Sequence, residues 1–330
     1  MTARAPAISV VIPVYDEVDA LAPLLGELAE VLDGLDRTSE IVAVDDGSSD
    51  GSFDRLVTLC ASEPRLRVVR LARNYGQTAA LAAGFEHARA PIIVSMDADL
   101  QNDPHDIPAL LAALDRGADV VNGWRHPRRD PWLTRRLPSR LANALISLVT
   151  GTSLHDYGCT LRAMRTPFAK EMQLYGELHR FIPALAADLG AQVAELPVHH
   201  RPRTIGRSKY GLSRTLRVLL DLLTVKFLSG YSTRPIQLFG LVGLVCAGAG
   251  LSLTGYLGFQ RLFLGVPLSG RPVVLLAILL AVVGVQFVSI GLLGEMLVRT
   301  YHESQAKPIY RVRDLVELTS EDAAAMRAPR

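Results

Sequence analysis

Between Pro235 and Gln260 the chain runs 26 residues without a charge, and between Pro272 and Gly294 it runs another 23. Each stretch exceeds the roughly 20 residues that an α-helix needs to cross ~30 Å of hydrocarbon. The alternative is a pair of core helices in a soluble protein. Buried helices of that length ordinarily keep some polar face, and two in succession without one are rarer still. The connector, Arg261 to Arg271, is too short for a domain, so the pair is expected to form a transmembrane hairpin whose ends return to one side. Lys226 and Arg234 precede it and Arg299, Lys307, Arg311 and Arg313 follow it, against two arginines in the connector, which places that side in the cytoplasm.

Before the hairpin, Leu212, Leu216, Leu219, Leu220, Leu223 and Phe227 recur at helical spacing with Arg214, Arg217 and Asp221 elsewhere on the wheel. That pattern fits a helix lying in the membrane interface, and equally an amphipathic helix packed on a soluble domain. At the amino terminus the apolar run before Asp16 is too short for a signal-peptide core, so this part is expected to stay in the cytoplasm. The 35 basic residues nearly balance the 33 acidic ones, which removes the global positive field of a nucleic-acid binder. Cys60, Cys159 and Cys246 are odd in number and contain no CxxC pair, which argues against a disulfide framework or structural zinc and for a reducing compartment.

The first 200 residues alternate. Apolar runs at Ile8 to Val14, Glu40 to Val44, Leu66 to Leu71, Pro91 to Met96 and Asp119 to Asn122 are separated by helix-like stretches such as Leu21 to Leu32, Gly51 to Cys60 and Thr78 to Ala88. This order predicts an α/β fold with a mostly parallel sheet, whose ligands bind beyond the carboxyl ends of the strands. After the first run stands Pro13-Val-Tyr15-Asp-Glu17 in place of a glycine-rich turn, which disfavours a dinucleotide-binding dehydrogenase. The second run ends in Asp45-Asp46-Gly47-Ser48, whose carboxylates can accept from a base imide or ribose hydroxyls. A plain acidic turn is the other reading of that motif. The fourth ends in Asp97-Ala-Asp99-Leu-Gln101, where alternate side chains of an extended segment can converge on a hard cation, Mg²⁺ or Mn²⁺, and on a diphosphate.

Taken with Asn74-Tyr-Gly76-Gln77, these motifs resemble the inverting family 2 glycosyltransferases of the GT-A fold. The segments Asp156-Tyr-Gly-Cys-Thr-Leu-Arg162, His179-Arg-Phe-Ile-Pro183, Pro197-Val-His-His200 and Arg203-Thr-Ile-Gly-Arg-Ser-Lys209-Tyr210, followed by two spans, are similar to the polyprenyl-phosphate glycosyltransferases. That group includes the undecaprenyl-phosphate 4-deoxy-4-formamido-L-arabinose, bactoprenol glucose and dolichol-phosphate mannose enzymes. The resemblance implies a UDP-type nucleotide sugar donor held by Pro13, Tyr15, Glu17, Asp45, Asp46, Gln77 and Asp97. It implies a Mg²⁺ or Mn²⁺ ion on Asp97, Asp99 and Gln101, and a polyprenyl phosphate acceptor held by Arg125, Arg135, Ser139, Arg203 and Lys209. Asp99, Asp156 and Arg125 are the expected catalytic residues, with Asp156 either orienting the donor sugar or acting as a base.

The organisation expected is a catalytic GT-A domain over 1–210, an interfacial segment over 211–234, the transmembrane hairpin over 235–298 and a cytoplasmic tail over 299–330. The partners implied are the nucleotide sugar, the polyprenyl phosphate and the bilayer of the cytoplasmic membrane; homo-oligomers are compatible with all of this. Trp124 to Arg140 carries six arginines against one acid, and His199 to Arg217 six basic residues without an acid, so a phosphate acceptor fits better than a neutral lipid such as diacylglycerol. The intact carboxylates argue against a catalytically silent lipid-binding scaffold.

Overall fold

The structure is a computed structural model that describes residues 5–126, 147, 151–174, 178–202, 235–304 and 309–317, without the side chains of 235–238, 295, 296 and 298–304. The expected interfacial segment 211–234 lies outside the described residues. The chain forms two compact units, one from residues 1–222 with 308–330 and one from residues 223–307.

Apolar runs become buried strands in the first unit: β1 Ile8–Val14, β2 Ser39–Asp45, β3 Leu66–Leu71, β4 Ile92–Ser95 and β5 Val120–Arg125. Three further strands, β6 Arg162–Arg165, β7 Val193–Val198 and β8 Val312–Glu317, complete a sheet ordered β7-β5-β6-β4-β1-β2-β3-β8. β1, β2, β3 and β4 pair in parallel, as do β5 and β7. β6 runs antiparallel between β4 and β5, and β8 runs antiparallel along the outer edge of β3. Parallel neighbours demand crossovers, which α1 Val18–Asp33, α2 Ser52–Cys60, α3 Gln77–His87 and α4 Ile107–Asp115 supply.

The core lies between the sheet and these helices. Leu21, Leu24, Leu28 and Leu32 on the inner stripe of α1 meet Ile8, Val10 and Ile12 of β1 in one apolar cluster. Burying one such leucine fully is worth about 1.5–3 kcal/mol, so the stripe is what fixes α1 on the sheet. α3 comes closer than a side chain would allow: a Cβ on Gly84 would stand 2.2 Å from Val11 Cγ1.

β8 has no counterpart in the sequence reading, which left residues 299–330 as a tail. Charged pairs hold it. Arg89 Nη1 and Nη2 donate to the two Glu317 oxygens at 2.6 and 2.8 Å, Asp314 lies 3.7 Å from Arg70, and Tyr310 Oη donates to Glu86 of α3. Glu317 also stands 3.5 Å from Arg67, whose Nη1 donates at 2.8 Å to the buried Glu40.

The second unit is two helices, Pro235–Phe263 and Pro272–Ser304, each containing a segment long and apolar enough to cross a membrane: Phe239–Phe263 and Pro272–Gly294. They pack antiparallel through small residues. Cβ atoms on Gly243, Gly250 and Gly284 would stand 2.7 Å from Gly284 O, 2.5 Å from Ala281 N and 2.4 Å from Ala247 N. Such contact brings helix backbones together without needing water to drive them. Apolar side chains still face outward, with Leu244 67% and Leu275 72% exposed, so these are not the buried helices of a soluble core.

Candidate active site

The parallel strands all deliver their carboxyl ends to one edge of the sheet, and the antiparallel β6 and β8 begin there. On the side of β1 and β2, loops lock onto one another through short polar side chains. Asp16, at φ 51°, receives Ser49 N at 2.8 Å and gives its own N–H to Ser48 Oγ at 3.0 Å. Glu17 N donates to Ser52 Oγ and Val18 N to Asp50 Oδ2, both at 3.0 Å. This lattice sets the loop carrying Tyr15, which is 37% exposed, and Glu17, beyond the half-buried Pro13.

The adjacent carboxylates Asp45 and Asp46 differ in what they touch. Asp46 accepts the backbone N–H groups of Tyr75 and Gly76 at 2.7 and 2.8 Å, so it ties the loop after β3 to the end of β2. Gly47 makes that approach possible, since at φ 70° a Cβ there would fall 2.5 Å from the Arg73 carbonyl carbon. Asp45 is fully buried, and its Oδ1 accepts a long bond of 3.3 Å from Ser48 N. Among the described residues its Oδ2 has no hydrogen-bond partner, and Arg70 Nε stands 3.7 Å away. Burial pushes the Asp45 carboxyl up, against the lowering effect of Ser48 and Arg70.

At the end of β4, Asp97 accepts from Gln77 Nε2 at 2.7 Å and from Thr160 Oγ1 at 2.8 Å. Asn102, buried, accepts the Asp97 N–H at 3.0 Å and so shapes the loop from below. Leu100 sits at φ 63°, a left-handed turn that brings Gln101 back on Asp99: Gln101 N donates to Asp99 Oδ1 at 3.2 Å and Gln101 Nε2 donates to Oδ2. Burial and then the Asp99 charge push the Asp97 carboxyl up to about 6. Two carboxylates that repel one another in a half-buried cleft form an all-oxygen donor set that a hard cation would relieve. Among the described residues no group of three or more His, Cys, Asp and Glu gathers for a metal.

Opposite them, Arg125 at the end of β5 forks onto Asp156, Nε to Oδ2 at 2.7 Å and Nη2 to Oδ1 at 2.9 Å. Asp156 is 1% exposed and is fixed further by Gly158 N at 3.1 Å. Behind this pair lies Arg162, 2% exposed, whose Nη1 donates to His179 O at 2.8 Å and whose Nη2 donates to Cys159 O. Burial pulls its guanidinium down to about 10. His179 Nδ1 meets Thr78 Oγ1 at 2.7 Å, and His199 Nδ1 meets Asp106 at 2.8 Å, which raises His199.

The structure therefore gathers Asp45, Asp46, Gln77, Asp97, Asp99, Gln101, Arg125 and Asp156 along one sheet edge. Four of them engage one another or the backbone: Gln77 and Gln101 turn their amide nitrogens to Asp97 and Asp99, Asp46 is held by backbone, and Arg125 is held by Asp156. Arg135, Ser139, Arg203 and Lys209 lie outside the described residues. Sequence reasoning passed over Asn102, Thr160 and Arg162. Their signal was position alone, one residue beyond the Asp-Ala-Asp-Leu-Gln run and inside the segment that begins at Asp156.

A family model described as "Glycosyl transferase family 2" matches residues 9–172. The chain is 41% identical to a dodecaprenyl-phosphate galacturonate synthase of Rhizobium johnstonii, over 94% of this chain and 93% of that one. It is 42% identical to an undecaprenyl-phosphate 4-deoxy-4-formamido-L-arabinose transferase of Edwardsiella ictaluri, over 96% of each. Among solved structures, glucosyl-3-phosphoglycerate synthase from Mycobacterium tuberculosis, in complex with Mn²⁺, uridine diphosphate and phosphoglyceric acid, shares the fold. Its TM-score is 0.53 at 19% identity, over 68% of this chain and 79% of that one. The same enzyme is also similar in a complex with Mg²⁺ and uridine diphosphate, with a TM-score of 0.53 at 18% identity, over 67% and 79% of the two chains.

Proposed function

The chain belongs to the family 2 glycosyl transferases, and from that premise we propose that it moves a sugar from a nucleotide diphosphate, of the UDP type, onto the phosphate of a long-chain polyprenol at the cytoplasmic face of a membrane. The observation that carries this reading is the single sheet edge where Asp45, the Asp97–Asp99 pair and the Arg125–Asp156 fork meet, in a chain that also holds two helices long enough to cross a bilayer.

Asp45, whose buried Oδ2 has no hydrogen-bond partner among the described residues, accepts from the nucleoside. Tyr15, Pro13 and Glu17 flank it on the neighbouring loop, and Asp46 holds the loop that leads to Gln77. Asp99, with Asp97 behind it and Gln101 on its flank, is the seat for Mg²⁺ or Mn²⁺ and the diphosphate. Bound there, the cation supplies Lewis-acid stabilisation to the departing nucleoside diphosphate. Gln77 and Thr160 hold Asp97 in one orientation, so the cleft needs little rearrangement when the donor arrives.

A polyprenyl phosphate already presents an anionic oxygen near neutral pH, so attack at the anomeric carbon depends on positioning more than on proton removal. Asp156 suits that economy: with both oxygens on the Arg125 fork it acts as an orienting group and not as a proton acceptor. The Arg125 nitrogen that Asp156 leaves open, with Arg135, Ser139, Arg203 and Lys209, is the acceptor-phosphate set. Displacement in line inverts the anomeric configuration.

The hairpin anchors the chain with its catalytic unit and both termini on the cytoplasmic side, where charge outside the spans is concentrated. The test is to offer the purified full-length protein a panel of nucleotide sugars with undecaprenyl phosphate and Mg²⁺, then weigh the lipid products by mass spectrometry. One sugar added to the lipid phosphate is the expected product. Sugar found on diacylglycerol, or no lipid product with any donor, would overturn the proposal.

A further inference from the structure

Three charged residues stand in one row across adjacent strands. Asp45 of β2 is the register partner of Arg70 of β3, and Arg70 is the register partner of Asp314 of β8. Arg70 lies equally far from both acids, with Nε 3.7 Å from Asp45 Oδ2 and Nη1 3.7 Å from Asp314 Oδ2. Neither contact is a hydrogen bond. The guanidinium is also stacked on Phe53 at the start of α2, its carbon 4.1 Å from the ring centroid, which limits how far it swings. The result is a buried carboxylate oxygen with a cation nearby but not upon it.

We infer that Asp314 is a positioning residue for the nucleotide site: by sharing Arg70 from the far side, it keeps the guanidinium from closing on Asp45 and leaves the buried Asp45 oxygen unpaired until the donor arrives. This rests on the assignment of Asp45 to the nucleoside. It gives the strand that follows the hairpin in sequence a part in donor binding as well as in covering the sheet. With Asp314 neutral, Arg70 has one anionic partner left and closes the remaining distance. The oxygen that should accept from a base or ribose is then already occupied. With Arg70 neutral, Asp45 loses the cation that stands 3.7 Å from it.

The two changes move the site in opposite directions. Around Asp45 stand Arg70 on β3 and Asp46, Ser48 and Asp50 on its own loop, with Asp16 of the β1 loop bonded to Ser48; around Asp314 stand Arg70 and Arg313, the latter at 3.8 Å. Binding requires Asp45 ionised. Removing the Arg70 charge lets burial carry its carboxyl higher, so the acid limb of nucleotide binding moves to higher pH. Removing the Asp314 charge devotes Arg70 to Asp45, so that limb moves to lower pH while affinity on the plateau falls.

The experiment uses the full-length protein in detergent with Mg²⁺, titrated calorimetrically with UDP, GDP, CDP and ADP across pH, for wild type, Asp314→Asn, Asp314→Glu, Arg70→Gln and Asp45→Asn. Asp314→Asn should bind the preferred nucleotide roughly three- to tenfold more weakly, the range of one hydrogen bond. Asp314→Glu should restore most of that affinity, and the acid limbs of Asp314→Asn and Arg70→Gln should part in the directions given. Asp314 is 44% exposed, so its substitution leaves the core alone, and thermal melts confirm folding. Wild-type affinity in Asp314→Asn, or limbs that shift together or not at all, would overturn the inference while leaving the donor site standing. Wild-type affinity in Asp45→Asn, or no nucleotide bound by the wild type, would instead overturn the assignment of Asp45 and the inference with it.

Discussion

The two halves of the site solve the same problem with opposite means. On the side of β1 to β3, the carboxylates of Asp16, Asp46 and Asp50 are satisfied by backbone N–H groups from neighbouring loops, so charge is used to set shape. On the side of β4 to β6, Asp97 and Asp156 are held by side chains, Gln77 and Thr160 for one and the Arg125 fork for the other, and a like charge stands beside Asp97. A half built on shape should tolerate loss of charge better than a half built on balancing it. Substitutions in the charge-balanced half should therefore cost more than those in the shaped half.

The largest effect belongs to Asp99→Ala. Several kcal/mol of charge stabilisation on the leaving group would go with the cation, so turnover should fall by about three orders of magnitude, and Mn²⁺ binding measured by paramagnetic resonance should weaken in parallel. Turnover within tenfold of wild type would place the metal elsewhere. Next comes the fork. Arg125→Ala strands a carboxylate that is 2% exposed, and breaking a buried pair from one side costs about 3–5 kcal/mol, readable as a shift in denaturant unfolding. Arg125→Lys keeps the charge and loses the geometry, so stability should largely survive while turnover drops about tenfold or more. Equal turnover in the lysine variant would mean that Asp156 needs a cation but no fork. The smallest effect is on the shape side: Asp46→Ala frees the Tyr75–Gly76 loop and should raise the donor KM about tenfold with kcat nearly unchanged, from bonds worth about 1.5–3 kcal/mol. A fall in kcat as steep as that of Asp99→Ala would erase the distinction between the halves.

How far the sequence told these halves apart depends on where each signal sits. β1 is legible to the residue, Ile8 to Val14, because a strand buried on both faces must be a continuous apolar run. β2, β3 and β4 follow for the same reason, and the ends of the β2 and β4 runs located Asp45 and Asp97. β6 reads Arg-Ala-Met-Arg and β8 reads Val-Arg-Asp-Leu-Val-Glu; short, charged and antiparallel, they depend on partners far along the chain and carry no local pattern. The pairing of side chains was equally hidden. Asp45 and Asp46 look alike as letters, yet one ends a strand pointing inward and the other turns out to meet backbone arriving 29 and 30 residues later. Thr160 reaches Asp97 across 63 residues. The acceptor residues Arg135, Ser139, Arg203 and Lys209 fall outside the described residues and stay as expectations.

The return strand β8 also sets an order of manufacture. β3 leaves the ribosome with one edge unpaired, and the strand that covers it is made only after both long apolar helices, 246 residues later counting from Leu71 to Glu317. At about 5–20 residues per second that interval is roughly 12–50 s, during which an unpaired edge is a template for mispairing. The Asp45–Arg70–Asp314 row is completed last of all. A nascent chain that stalls before its apolar helices are finished therefore has no Asp314 to share Arg70, so completion of the proposed nucleotide site waits on synthesis of the two long apolar helices.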